Sequence, residues 1–269
     1  MPLILPALLS AAALSREKKK VEPNATPQLE TVLISLLVVV VLSVLIGSYL
    51  SSATTVSLPS SESFSLLARS RRSVFPKHYS GESVPRHAVE RALEDANWAP
   101  THGKTEPWRF VVFEGTEAIQ KLITLKREGI EAMTTGAEKV AALEKAAKKE
   151  KELMRCSHII AICCKRLENS KGVLMPEWEE VAATACAVHN LHFSIHASGY
   201  AGYWSSGGVG GGWADAPAVR AFLGMDGECQ GAKDKVLGFF HVGVVPKERV
   251  ALYHARRGPI AVKTQWVKA

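Results

Sequence analysis

The sequence is short of the patterns that would identify a stapled or metal-built domain. Its five cysteines form no Cys-x-x-Cys pair, and their number is odd. That argues against a disulfide framework or a zinc ribbon and mildly favours a reducing compartment. The formal charge of +7 is not gathered into one basic stripe, so nucleic acid is not the expected partner. Two nucleotide motifs are also missing. Gly103-Lys104-Thr105 would end a P-loop only if residue 98 were glycine, and it is Trp98. The pair Gly208-x-Gly210 would begin a dinucleotide fingerprint only with a glycine at 213, where Trp213 stands. His189, His192 and His196 share one helix face, but the outer two lie about 10 Å apart along the axis. No acidic residue nearby completes a set, so no metal is expected. There is no internal repeat.

One apolar run stands out against an otherwise ordinary composition. Residues 32–50 carry no charge and no proline. As a helix they would span about 28 Å, close to the hydrocarbon thickness of a bilayer. A single-pass membrane helix is expected there, with residues 1–31 as an N-terminal tail. The basic cluster from Arg16 to Lys20 would keep that tail on the cytoplasmic side, whereas the reducing chemistry argued below would rather have the main domain there. The apolar residues 3–14 are too short to span and lack a preceding basic residue. Residues 51–65, rich in Ser and Thr, read as a flexible linker. Residues 66–269 then read as one globular domain, long enough to bury a core.

Within that domain the periodicities predict alternating helices and strands. Helices are expected over 87–96, from 114 to about 125, over 137–153 and over 177–198. Strands are expected over 108–113, 158–164 and 235–245. The 137–153 helix is highly charged and should present a solvated face. The 177–198 helix is Ala-rich and should be buried on several sides. Cys163 and Cys164 sit in an apolar run that reads as a buried strand. This order points to a layered α/β or α+β domain.

Three clusters carry polar chemistry. Arg71-Arg72-Ser73 follows a short helix and offers two guanidiniums and a hydroxyl, a set suited to phosphate. Residues 98–108 form a proline-stiffened loop between helix and strand, carrying Thr101, His102, Lys104 and Glu106 between two tryptophans. Trp204-Ser205-Ser206 precedes a glycine run whose backbone could approach a flat ligand closely.

Taken in order, these segments resemble the nitroreductase family, closest to its compact bacterial branch. The resemblance rests on Arg71-Arg72-Ser73, on Ala99-Pro100 through Pro107-Trp108-Arg109-Phe110, and on Trp204-Ser205-Ser206-Gly207. It covers roughly residues 66–245. It implies an α+β domain of three layers (α/β/α) with a mixed sheet flanked by helices, and a homodimer with FMN at the subunit interface and the C-terminal stretch embracing the partner. NAD(P)H would serve as co-substrate, and a nitroaromatic, quinone or similar flat electrophile would take the hydride. By position, Arg71, Arg72 and Ser73 would hold the FMN phosphate and ribityl chain. Trp98 and His102 would reach flavin across the interface; this chain has Trp98 and Glu106 where the branch often has Arg and Gln. Trp204, Ser205 and Ser206 would lie by the isoalloxazine. Ser194, Ile195, His196, Ala197, Ser198 and Gly199 would lie near the nicotinamide nucleotide. Arg256-Arg257 resembles a second phosphate contact. No catalytic acid or nucleophile is implied, since the flavin would supply the redox chemistry. Two other readings stay open. Iodotyrosine deiodinases share the Thr105-to-Trp108 run and a membrane helix, but the lid region 126–154 here has no tyrosine. A membrane-tethered scaffold without activity is the other.

Overall fold

The computed structural model describes Val32, residues 34–43 and residues 58–268. The chain divides into two units, before and after the Leu58–Pro59 junction. In the first, residues 34–43 are helical and their side chains are exposed. They cover ten positions of the expected 32–50 span; residues 33 and 44–50 lie outside the described residues, as do 1–31 and 51–57. Among the described residues no helix is long and apolar enough to cross a membrane. The membrane segment thus rests on sequence alone.

The second unit opens with α1 (Ser61–Ser70), whose first turn is capped by the Ser60 hydroxyl accepting from the Ser63 amide at 3.1 Å. A 3-10 turn (Pro76–His78) leads to α2 (Arg86–Asn97). Then follow β1 (Trp108–Glu114), the helical hairpin α3 (Gly115–Met133) and α4 (Gly136–Leu153), and β2 (His158–Cys164). The long helix α5 (Glu177–Ala197) comes next, then β3 (Ala201–Ser205) and α6 (Pro217–Phe222). A two-stranded ribbon, β4 (Glu228–Cys229) with β5 (Ala232–Lys233), precedes β6 (Lys235–Gly243) and the short α7 (Lys247–Val250).

The main sheet runs β1-β2-β6-β3 with antiparallel neighbours throughout. The parallel component that a mixed sheet requires reduces here to one isolated bridge, Ser73 to Gly202, at the outer edge of β3. β2 explains the three layers. All seven of its residues are buried, and a strand buried on both faces reads as a continuous apolar run. Ile159, Ala161 and Cys163 face one core, with Ile119, Leu122 and Ile123 of α3. Ile160 and Ile162 face the other, with the alanines of α2 and α5. The successive side chains alternate because the strand period is two. Burial pushes the Cys163 thiol up to about 12, which leaves it inert packing material.

β6 carries a bulge: Ile162 pairs with Gly238, but Cys163 pairs with Val236, leaving Leu237 extra. Gly238 sits at φ +132°, and a Cβ there would strike the Ser205 carbonyl. The bulge bends β6 beside the end of β3 and turns the Leu237 carbonyl to the Trp204 indole, which donates to it at 3.1 Å.

Candidate functional site

Two features meet along the free edge of β3. The first is a cluster of guanidiniums. After α1 ends, residues 71–74 run beside β3, with Ser73 bridged to Gly202 and the Val74 amide donating to the Gly202 carbonyl at 3.1 Å. Arg72 donates from Nε to the Tyr253 carbonyl at 3.0 Å and from Nη1 to the Arg71 carbonyl at 2.8 Å. Arg71 is half-buried, with Nη1 3.4 Å from His192 Nδ1. Burial draws its guanidinium below the usual arginine range, and the nearby charges of Arg257 and Arg72 act in the same direction. Among the described residues none of these three arginines has a carboxylate partner. Like charges held together without a counterion form a site that an anion stabilises, and guanidinium forks fit phosphate.

The second feature is a cavity of about 660 Å³ between the sheet and the α3–α4 hairpin, a size ordinary for a small-molecule site. Its wall is aromatic. Trp213 stacks on Phe239 at 4.9 Å and 17°, Tyr203 on His241 at 5.7 Å and 27°, and Phe75 meets Tyr203 edge-on at 4.6 Å. Ser205, Gly207 and Gly208 form one rim, and Lys126, Lys145 and Lys149 line the hairpin side. Burial lowers the Lys126 ammonium from its usual range. α4 presents the solvated charged face expected of it, with Ala146 its one buried residue, and Lys145, Ala146 and Lys149 border the cavity.

His241 supplies the cavity's most defined polar atom. Its Nδ1 lies 3.1 Å from the Tyr203 carbonyl. A carbonyl can only accept, so Nδ1 carries the proton and Nε2 keeps a lone pair. Burial first, then the Lys126 charge, holds this imidazole down to about 4. The ring is therefore neutral at physiological pH.

The two features are joined covalently and by Tyr253. The chain passes from Arg72 to Phe75 in three residues, about 10 Å when extended. Tyr253 holds both ends: its carbonyl takes Arg72 Nε, and its hydroxyl takes the Phe75 amide at 3.1 Å.

The glycine segment that follows β3 is folded rather than loose. Gly208 accepts from the Ala214 amide at 2.8 Å, and Gly211 donates to Asp215 Oδ2 at 2.7 Å. Gly208 has φ +96°, and any Cβ there would overlap the Trp213 ring. Glycine is needed at that position so that backbone and indole can touch.

The residues singled out from sequence fall into three groups. Arg71, Arg72 and Ser73 lie together at the β3 edge, and Ser205 lines the cavity. Ser206 is exposed and does not line the cavity, whereas Trp204, one residue before Ser205 in the strand, faces the opposite core. Trp98 is 81% exposed, and His102 is exposed with Nδ1 2.6 Å from Glu179 Oε2. Neither lines its own chain's cavity. Their loop holds two non-glycine residues, Lys104 and Glu106, at positive φ, a strained conformation that tends to mark functional segments. Of residues 194–199, none lines the cavity. Ser194, Ala197 and Ser198 border a shallow hollow against α1 and α2, and His196 Nε2 lies 2.9 Å from the Ser70 hydroxyl. Ile195 is fully buried in the α2–α5 core and has no surface to offer a nucleotide. Phe75, Lys126, Tyr203, Trp213 and His241 went unnoticed in the sequence because they come from five separate segments.

Comparison with known proteins places the fold. The model of the nitroreductase family matches residues 68–244. The Putative NAD(P)H nitroreductase of Haemophilus influenzae is 30% identical over 155 residues, covering 58% of this chain and 74% of that protein. The Putative NAD(P)H nitroreductase YdjA of Escherichia coli is 31% identical over the same shares. Among solved structures, a nitroreductase-like family protein from Bacillus cereus superposes with a TM-score of 0.56 at 21% identity, over 79% of this chain and 100% of that one. The FMN-dependent nitroreductase NfnB from Mycobacterium smegmatis, in complex with NADPH, gives 0.56 at 16% identity, over 77% and 99%. At those identities the structures speak for the fold.

Proposed function

The chain belongs to the nitroreductase family, and from that premise we propose that it is an FMN-dependent NAD(P)H oxidoreductase passing hydride to a nitroaromatic, a quinone or a similar flat electrophile. One observation carries the reading. A guanidinium cluster with no carboxylate partner among the described residues and an aromatic cavity are joined by one chain segment, residues 72–75, about 10 Å long when extended, with Tyr253 holding both ends. FMN has this same layout, a phosphate joined through a short chain to a flat ring.

When bound, FMN would accept two electrons from the nicotinamide and release them to the acceptor. The chain's own residues do the rest. Arg71 and Arg257 donate to phosphate, while Arg72, largely committed to backbone carbonyls, fixes the segment they stand on. The aromatic wall and the α3–α4 hairpin exclude water. Lys126, Lys145 and Lys149 supply a positive field that favours negative charge developing in the cavity. His241 Nε2 accepts from an N–H or O–H on whatever occupies it.

Trp98 and His102 act across a homodimer interface in this reading. Their exposure supports it, as does that of Trp178, Ile260, Val262 and Trp266, because exposed large aromatics mark surfaces made to be covered. Residues 194–199, Ile195 excepted, would touch the nicotinamide nucleotide at the phosphate end. The 32–50 run would hold the domain at a membrane, a reading that the sequence alone supports. Extraction of the full chain into the aqueous phase by alkaline carbonate would remove it.

The deciding experiment is the visible spectrum of the purified full chain. The flavin reading expects a yellow protein that bleaches on adding NADH or NADPH. A folded, colourless protein that takes up no added FMN would leave a scaffold instead.

A further inference from the structure

His192 has no role in the reading so far. It was conspicuous in the sequence only as one of three histidines on a helix face, and the structure sends the three apart. His189 packs on Phe193 with centroids 4.2 Å apart, and His196 bonds Ser70. His192 turns inward, 7% exposed, edge-on to Phe240 at 5.0 Å. Both of its ring nitrogens are used at the guanidinium cluster: Nε2 lies 3.2 Å from the Arg72 carbonyl and Nδ1 3.4 Å from Arg71 Nη1. The carbonyl can only accept, so Nε2 carries the hydrogen. Nδ1 is then a lone pair, and the Arg71 guanidinium donates to it. One tautomer satisfies both contacts. A protonated ring would turn an N–H against the Arg71 cation, and burial followed by the Arg71 charge holds the imidazole down to about 4. The ring's place is shaped for it as well. A Cβ at Gly202 would strike Phe240 and come within 3.0 Å of His192 Cδ2.

We infer that His192 is a positioning residue for the phosphate end of the flavin site: it orients the Arg71 guanidinium through Nδ1 and anchors the Arg72 backbone through Nε2. It rests on the flavin reading above, touches neither the cavity nor the acceptor, and acts through the two arginines. This makes a selective claim. FMN and riboflavin share the ring and differ at the phosphate, so a defect in the arginine cradle should weaken FMN and spare riboflavin.

The test is the binding of FMN and of riboflavin to the flavin-stripped full chain, by quenching of flavin fluorescence, for wild type, H192L, H192N and H192Q. Leucine removes both contacts. Asparagine keeps a polar group too short to span both partners. Glutamine offers a carbonyl oxygen for Arg71 and an amide N–H for the Arg72 carbonyl. H192L and H192N should bind FMN about tenfold to a hundredfold more weakly, the range for a lost hydrogen bond to a charged group, with riboflavin affinity unchanged. H192Q should recover most of the loss. If H192L does not fold, the same FMN-to-riboflavin ratio in H192N carries the test. Unchanged FMN affinity in H192N would overturn the inference. So would equal weakening of both flavins without recovery in H192Q, which is the mark of packing alone. Wild type that binds riboflavin no less tightly than FMN would overturn it too, while leaving a flavin site in place. Wild type that binds neither would overturn the flavin reading itself and this inference with it.

Discussion

The two inward histidines make a quantitative prediction about acid stability. His192 and His241 are both nearly inaccessible, and both are held neutral with values of about 4. In the unfolded chain each returns to about 6.5. Between those values the unfolded state binds more protons than the native one, so stability rises with pH there and is lost as pH falls. From pH 7 to pH 5 each histidine should remove about 2 kcal/mol, and the pair about 4 kcal/mol, a large share of a typical domain's 5–15 kcal/mol. His158 is buried and lowered as well, adding to the same trend. Urea unfolding can follow this through tryptophan fluorescence, because all six tryptophans lie beyond residue 58. The informative quantity is the difference between wild type and the double variant H192L/H241F across the two pH values. Other titrating groups, such as Glu180, whose burial raises its carboxyl, largely cancel in that difference. The double variant will be less stable at pH 7 but should lose about 4 kcal/mol less on acidification. Parallel curves for the two proteins would refute the burial and the neutral state assigned to both rings.

Three further outcomes can be checked directly. Arg166 and Glu180 form a fully buried ion pair, with Arg166 also donating to the Met175 carbonyl at 2.8 Å. E180L alone should cost about 3–5 kcal/mol in urea melts by leaving a buried cation, and R166M/E180L should recover most of it. G202A should cost about 1–3 kcal/mol by overpacking Phe240 and His192, and it should weaken FMN more than riboflavin, read by the same fluorescence titration. K126M should lower kcat/KM for a nitrobenzoate about fivefold to thirtyfold relative to uncharged nitrobenzene, since a charge is worth roughly 1–2 kcal/mol at this depth; equal losses for both acceptors would detach Lys126 from acceptor charge.

Much of the scaffold was legible in the sequence because its periodicities are clean. The expected strand 158–164 is β2 to the residue, since seven apolar positions in a row fit a strand covered on both faces. The long helix is found at Glu177–Ala197 and the charged one at Gly136–Leu153. β3 was hidden because Ala201-Gly-Tyr-Trp-Ser205 is short and ends in a glycine run, which reads as a turn. Its pairing with β6 supplies the backbone bonds that override the weak local propensity of its glycine. The guanidinium cluster was visible as adjacent arginines. The cavity was not, because its wall joins residues from positions 75 to 241 that share no local spacing.

The glycines show why the site needed a tertiary view. Gly202, Gly208 and Gly238 look alike in the sequence, as small residues without a side chain, yet each leaves room for a different neighbour. A Cβ at Gly202 would displace Phe240 and His192, one at Gly208 would displace Trp213, and one at Gly238 would meet the Ser205 carbonyl. The first lets β3 lie against α5, so that His192 can reach the Arg71–Arg72 segment. The second closes the glycine loop onto the indole that walls the cavity. The third bends β6 so that its Leu237 carbonyl receives Trp204, which is held on the far side of the strand from Ser205. Trp204 therefore acts on the site from behind, by fixing the strand that presents Ser205 and Tyr203. Of the aromatics around the Trp-Ser-Ser motif, Tyr203 and Trp213 line the cavity, and Trp204 packs on the other face of the strand.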